Sequence, residues 1–127
     1  LPVLVQITLV IALYAYLAIA KSRASHREEV DENRRALFDD AWPESVLKIN
    51  NCIRNQFEIP VLFYVLIFIL WSLGAVNAFV HVISWLFVAT RIIHAVIHTG
   101  SNYVPLRRNV FSVGVLILLV LTLFALL

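Results

Sequence analysis

Arg54 and Glu58, and further on Arg91, His94 and His98, are ionisable side chains set inside stretches that are otherwise apolar. With Asn51 and Asn55 the first group falls at i, i+3, i+4 and i+7, and the second at i, i+3 and i+7, so each set marks one face of a helix. A charge well inside a bilayer costs about 2.5–3.5 kcal/mol on insertion scales, so such residues turn toward a bundle interior, find a partner or serve function. Arg107 and Arg108 stand at the start of the last apolar stretch, where first-turn amides add partial positive charge. These residues together describe a cationic cleft with one internal carboxylate, suited to a small anionic ligand that also carries an ammonium group. Plainer roles stand beside that one: Arg54 and Glu58 at i, i+4 can be a structural ion pair, and a histidine near a helix end can be a satisfied interfacial residue.

His94 and His98 are also i, i+4, a spacing that holds a transition metal when Glu58 or His81 supplies a third ligand. Two features count against a metal-binding protein. His81 lies about 20 Å from His94 along a helix, and Arg54 and Arg91 repel a cation. No metal site is therefore expected. A channel or transporter needs polarity across the whole bilayer, whereas the far halves of these stretches offer little beyond Ser84 and His81, and one four-span chain supplies no inverted repeat.

The elements that must position these residues follow from composition. Hydrophobic residues make up 61% and charged residues 14% of the 127-residue chain, against roughly 45–50% and about 25% in soluble domains. A membrane protein is expected, and the apolar runs divide it into four helical spans at about 1–20, 46–73, 75–99 and 105–127 within a single domain covering 1–127. Gly74 and Asn77 mark a tight turn between the second and third, and Pro105 suits the first turn of the fourth. The chain starts on Leu1 and holds no methionine, so residues ahead of it are expected. The lone Cys52 excludes an internal disulfide, and a net charge of +2 with no basic stripe excludes nucleic acid as a partner.

Loop 21–45 carries Lys21, Arg23, Arg27, Arg34 and Arg35, the third connection leads to Arg107 and Arg108, and the turn at 74–77 carries no basic residue. The positive-inside rule then places loops one and three in the cytoplasm and both termini across the membrane, in a bacterial inner membrane or an ER-type membrane. Span two enters from that side and span three leaves on it. Both polar stripes therefore lie in the cytoplasmic half and face one cleft, with Arg107 and Arg108 at its mouth. Mixed charges and Trp42 in loop 21–45 suit a solvated face, or else a cap over the cytoplasmic mouth. Small residues such as Ala89, Ala95 and Gly114 permit close helix contact.

The segments "RNQFE" in span two, "RIIHAVIH" closing span three and "VPLRR" opening span four resemble those of the MAPEG family, the membrane-associated proteins in eicosanoid and glutathione metabolism. The interval from His98 to Arg107 most resembles the microsomal prostaglandin E synthase and glutathione transferase branch. The resemblance implies an all-α four-transmembrane-helix bundle, assembled as a homotrimer, with glutathione as cosubstrate bound between subunits near the cytoplasmic side. It implies a glutathione transferase or peroxidase-like enzyme acting on a lipophilic small molecule that arrives from membrane lipid, or else a non-catalytic lipid- or glutathione-binding scaffold of the same fold. Carried over by position, Glu58 meets the ammonium of glutathione and Arg54 a carboxylate. Asn55 and His94 match binding positions, and Arg107 the catalytic arginine that stabilises the thiolate. Asn51, Arg91, His98 and Arg108 complete the expected binding set. The chain departs from the family pattern at His98, where a tyrosine is usual, at Asn51 in place of an arginine, at Arg108 in a serine-like position and at Phe111 in place of a tyrosine.

Overall fold

The computed structural model describes residues 1–127. Its helices are α1 (Pro2–His26), α2 (Glu44–Gln56), α3 (Ile59–Ser72), α4 (Ala78–Thr99) and α5 (Val104–Leu126), with one 3-10 turn at Asp39–Ala41. Pro2, Pro60 and Pro105 stand in the first turns of α1, α3 and α5, where the missing N–H is not needed and the fixed φ suits a helix start. Four helical stretches, Pro2–His26, Glu44–Ser72, Ala78–Thr99 and Val104–Leu126, are long and apolar enough to cross a membrane. The protein is an all-α, four-span membrane bundle.

The second of these stretches is not one helix. At 29 residues it exceeds the roughly 20 that a span needs, and it breaks at Phe57 and Glu58 into α2 and α3. Pro60 is the cause: it has no N–H for the Gln56 carbonyl, its ring crowds that carbonyl, and it biases the preceding residue away from helical backbone. The last turn of α2 tightens accordingly, with Phe57 N donating to Arg54 O at 3.0 Å and Glu58 N to Asn55 O at 3.4 Å. The expected single stripe from Asn51 to Glu58 is thereby corrected. Glu58 leaves the register of α2 and becomes the N-cap of α3.

α1 continues past residue 20 to His26, so the loop proper is 27–43. Gly74 takes a left-handed φ of +66° in the turn after α3. Asn77 then caps α4, its Oδ1 accepting from Val80 N at 3.0 Å. At the other end of α4 the carbonyl of Gly100 accepts from Lys48 Nζ at 3.2 Å, which ties α2 to that terminus with a favourable charge.

α4 packs on α5, α1 and α2, while α3 packs on α5. Two apolar clusters result. One gathers Leu13, Leu17, Ala24, Val46, Ile49, Cys52, Ile53 and Ala95. The other gathers Phe63, Leu70, Val80, Phe87, Val88, Leu118 and Leu121, with Phe63 stacked on Phe87 at a centroid distance of 4.5 Å. Between them lie buried polar residues on three of the helices: Gln6 on α1, Gln56 on α2 and Arg91 on α4. Close approach at this depth needs Gly114, since a Cβ there would stand 3.2 Å from Thr90 Oγ1 and 3.3 Å from Ile59 Cδ1. The outward faces carry exposed Leu4, Ile11, Phe68, Leu116 and Leu123, apolar surface that suits lipid.

Candidate functional site

The helix break places Asn55 and Glu58 against the C-terminal part of α4 and the first turns of α5. Together with His94, Val104, Arg107, Arg108 and Phe111 they line an open cavity of about 360 Å³. That volume is at the lower end of the roughly 300–1,000 Å³ of small-molecule sites. Two guanidinium groups and one carboxylate face it. The lining differs from the larger grooves elsewhere on the bundle, such as the 460 Å³ one between Val3, Tyr64, Phe68, Trp71 and Val80, which are mostly apolar.

On α4 the polar stripe faces inward as its spacing suggests. Arg91 is fully buried, His94 is 2% exposed and His98 is 4% exposed. Arg91 Nη2 lies 3.3 Å from His94 Nδ1, and its guanidinium carbon is 5.6 Å from the centre of the Phe111 ring. Its Nε and Nη1 have no partner within the chain. The rings of His94 and His98 meet edge to face with centroids 5.5 Å apart. No third histidine, cysteine or carboxylate joins them in a metal-sized cluster.

On α2 the outcome differs. Cys52, Ile53 and Gln56 take the inward face, so Asn51 and Arg54 point outward, away from the cleft, and the expected meeting of two complete stripes does not occur within one chain. Apolar side chains gain more from burial there than the guanidinium does, because the Arg54 side chain, 61% exposed, keeps its solvation and its partners. It pairs with Asp39 of the loop and reaches Asn51 Oδ1 at 3.5 Å. Asn55 alone of the α2 set turns inward. Its amide lies between Glu58 and His98, and with the nitrogen toward the carboxylate it donates to both Glu58 oxygens at 3.2 Å while its oxygen accepts from His98 Nδ1 at 3.2 Å.

Arg107 sits on the first turn of α5, whose N-cap is Tyr103. Its Nη1 donates to Asn102 Oδ1 at 2.5 Å, a contact that aims the guanidinium. Asn102 takes a left-handed φ of 53°, which asparagine tolerates better than most residues, and its N–H closes on Ile97 O at 2.7 Å. Sequence reasoning passed over Asn102, although an asparagine directly after the "GS" that follows α4 is a turn signal. Asp39 was passed over too, its acid lost among the mixed charges of the loop.

A family model described as MAPEG family matches residues 2–127. The chain belongs to the MAPEG family. No curated protein and no solved structure matches it significantly. Membership accords with a four-helix membrane bundle and with glutathione-related function, since MAPEG proteins generally use glutathione.

In this MAPEG protein the four positions expected to depart from the family pattern fall at distinct places. Phe111 and Arg108 line the cavity itself. His98 lies behind it, tied to Asn55, and Asn51 lies on the outward face beside Arg54. Two of the four positions therefore line the cavity, one lies behind it, and one is on the outward face.

Proposed function

We propose that this MAPEG protein is a membrane-bound glutathione transferase or peroxidase-like enzyme of the prostaglandin E synthase and glutathione transferase branch. The observation that carries the reading is the charge pattern of the cavity: Arg107 and Arg108 face Glu58 across a space the size of a small ligand. Glutathione has two carboxylates and one ammonium. Glu58 takes the ammonium, the arginines take negative charge, and His94 and Asn55 supply neutral hydrogen-bonding groups. The outward pair Asn51 and Arg54 meets glutathione held by an adjacent subunit of a homotrimer, which gives those residues a role that one chain does not. Arg91 forms the buried wall behind His94.

Chemistry follows from Arg107. A fixed guanidinium beside the thiol of glutathione favours its charged form, and the thiolate is the attacking nucleophile. The thiol proton leaves to solvent at the cytoplasmic mouth, the sulfur forms a bond to an electrophilic carbon, and the electrons of the broken bond leave with the displaced group. A lipophilic electrophile reaches the site from the bilayer, along apolar surface.

A non-catalytic scaffold that binds lipid or glutathione is the second reading. It is favoured by the tie between Arg107 and Asn102, which occupies one of the guanidinium's donors. Calorimetry with millimolar glutathione in detergent, followed by conjugation of a generic electrophile, separates the two. Binding with turnover is expected; binding without turnover supports the scaffold, and absence of binding removes both glutathione readings.

A further inference from the structure

His94 and His98 stand one turn apart on α4, and each is tied at Nδ1 to a different kind of partner. Arg91 can only donate. Its Nη2 lies 3.3 Å from His94 Nδ1, so that nitrogen presents a lone pair and the ring proton of neutral His94 is on Nε2. His98 Nδ1 faces the amide of Asn55 at 3.2 Å, and an amide can offer either end. Glu58 settles which: its two oxygens lie 3.2 Å from the other end of that amide, and a carboxylate only accepts. The nitrogen of Asn55 therefore turns to Glu58 and its oxygen to His98, whose Nδ1 must carry a proton.

We infer that His94 and His98 are held in opposite tautomers, and that His98 is a positioning residue that fixes the Glu58 carboxylate through the amide of Asn55. His98 is buried and does not line the cavity, so it acts through its neighbour. Without the Nδ1–H, nothing distinguishes the two ends of the amide on that side. With it, Asn55 keeps both N–H directions near Glu58, and the carboxylate is held at the helix break where it faces the cavity. The consequence for recognition rests on the glutathione reading above: a fixed carboxylate selects ligands by their ammonium group. The tautomers themselves do not rest on it.

The test has two arms. Long-range proton–nitrogen spectra of the ligand-free protein in detergent, with labelled histidine, are expected to show His94 protonated at Nε2 and His98 at Nδ1; His98→Phe removes the second pattern and so assigns it. Both rings in the same tautomer overturn the inference. In the second arm, binding of glutathione is compared with that of an analogue lacking only the γ-glutamyl amine. His98→Phe is expected to weaken glutathione about tenfold, the scale of a hydrogen bond to a charged group, and to leave the analogue unchanged. His98→Asn, whose amide nitrogen takes the place of Nδ1, is expected to restore the difference. Equal loss for both ligands, or no loss for either, overturns the positioning role. A native protein that binds neither ligand overturns the glutathione reading, and the spectra then decide the tautomers alone.

Discussion

The side-chain amides of Gln6 and Gln56 meet at 3.0 Å inside the bundle, one residue before the second span breaks. Both are buried, and Gln56 also donates to Cys52 O at 3.3 Å. The pair belongs to the polar layer that separates the two apolar clusters, and it pins α1 to the end of α2. Removing one partner strands the other in an apolar setting, which costs about 1–3 kcal/mol. Gln6→Ala is expected to lower stability by about that amount in a denaturation series in detergent. Gln6→Leu with Gln56→Leu is expected to cost less than the sum of the single changes, with a coupling of about 0.6–1.7 kcal/mol as for other interhelical hydrogen bonds.

The break after Gln56 follows from Pro60 and sets where Glu58 points. Pro60→Ala restores an N–H to the Gln56 carbonyl and removes the ring that crowds it. The second span is then expected to run as one helix, returning Glu58 to the face shared by Asn51 and Arg54. Stability holds or rises. Glutathione affinity falls about tenfold or more, the scale of losing one charged hydrogen bond, as measured by calorimetry. Unchanged affinity would separate the break from the site.

Asp39 holds Arg54 within one chain. Both side chains are more than half exposed, so the pair contributes no more than about 1 kcal/mol to folding. Asp39→Asn is expected to leave the thermal midpoint nearly unchanged and to tighten glutathione by up to about fivefold at low salt, because the ligand carboxylate no longer competes with an internal one. Titrations at two ionic strengths check this, since the gain is expected to shrink as salt rises.

Asn102 aims Arg107. Glycine accepts the left-handed backbone at this position, whereas alanine pays roughly 1–2 kcal/mol there. Asn102→Gly therefore keeps the turn and removes only the contact with Arg107. Turnover is expected to fall about tenfold, the loss of one hydrogen bond to a charged group, with circular dichroism unchanged. A scaffold without chemistry predicts no such split.

Much of the architecture was legible in hydropathy, because a helix in lipid must be long, apolar and internally bonded. The inward face of α4 was legible too: Arg91, His94 and His98 share one side of an uninterrupted helix, and spacing suffices there. On the second span the same logic failed at Pro60. Periodicity assumes a continuous helix, and a proline two residues beyond Glu58 cancels that assumption. Asn51 and Arg54 also face outward because Cys52, Ile53 and Gln56 compete for the interior, a competition that only packing reveals. Gln6 is a polar residue in an apolar run, yet its partner lies 50 positions away and nothing local announces it. Asn102 and Asp39 act through single contacts to arginines, and loops carry no periodicity from which to read such contacts.

On the proposed reading, Arg107 makes the bound glutathione a thiolate. Ultraviolet difference absorbance on adding glutathione to the detergent-solubilised protein near neutral pH tests it directly, in the native chain and in Arg107→Ala. A thiolate band is expected in the native protein and is expected to be lost in Arg107→Ala, with glutathione affinity reduced far less than the band. A native protein that binds glutathione with no thiolate band, or an Arg107→Ala variant that keeps the band, would contradict it.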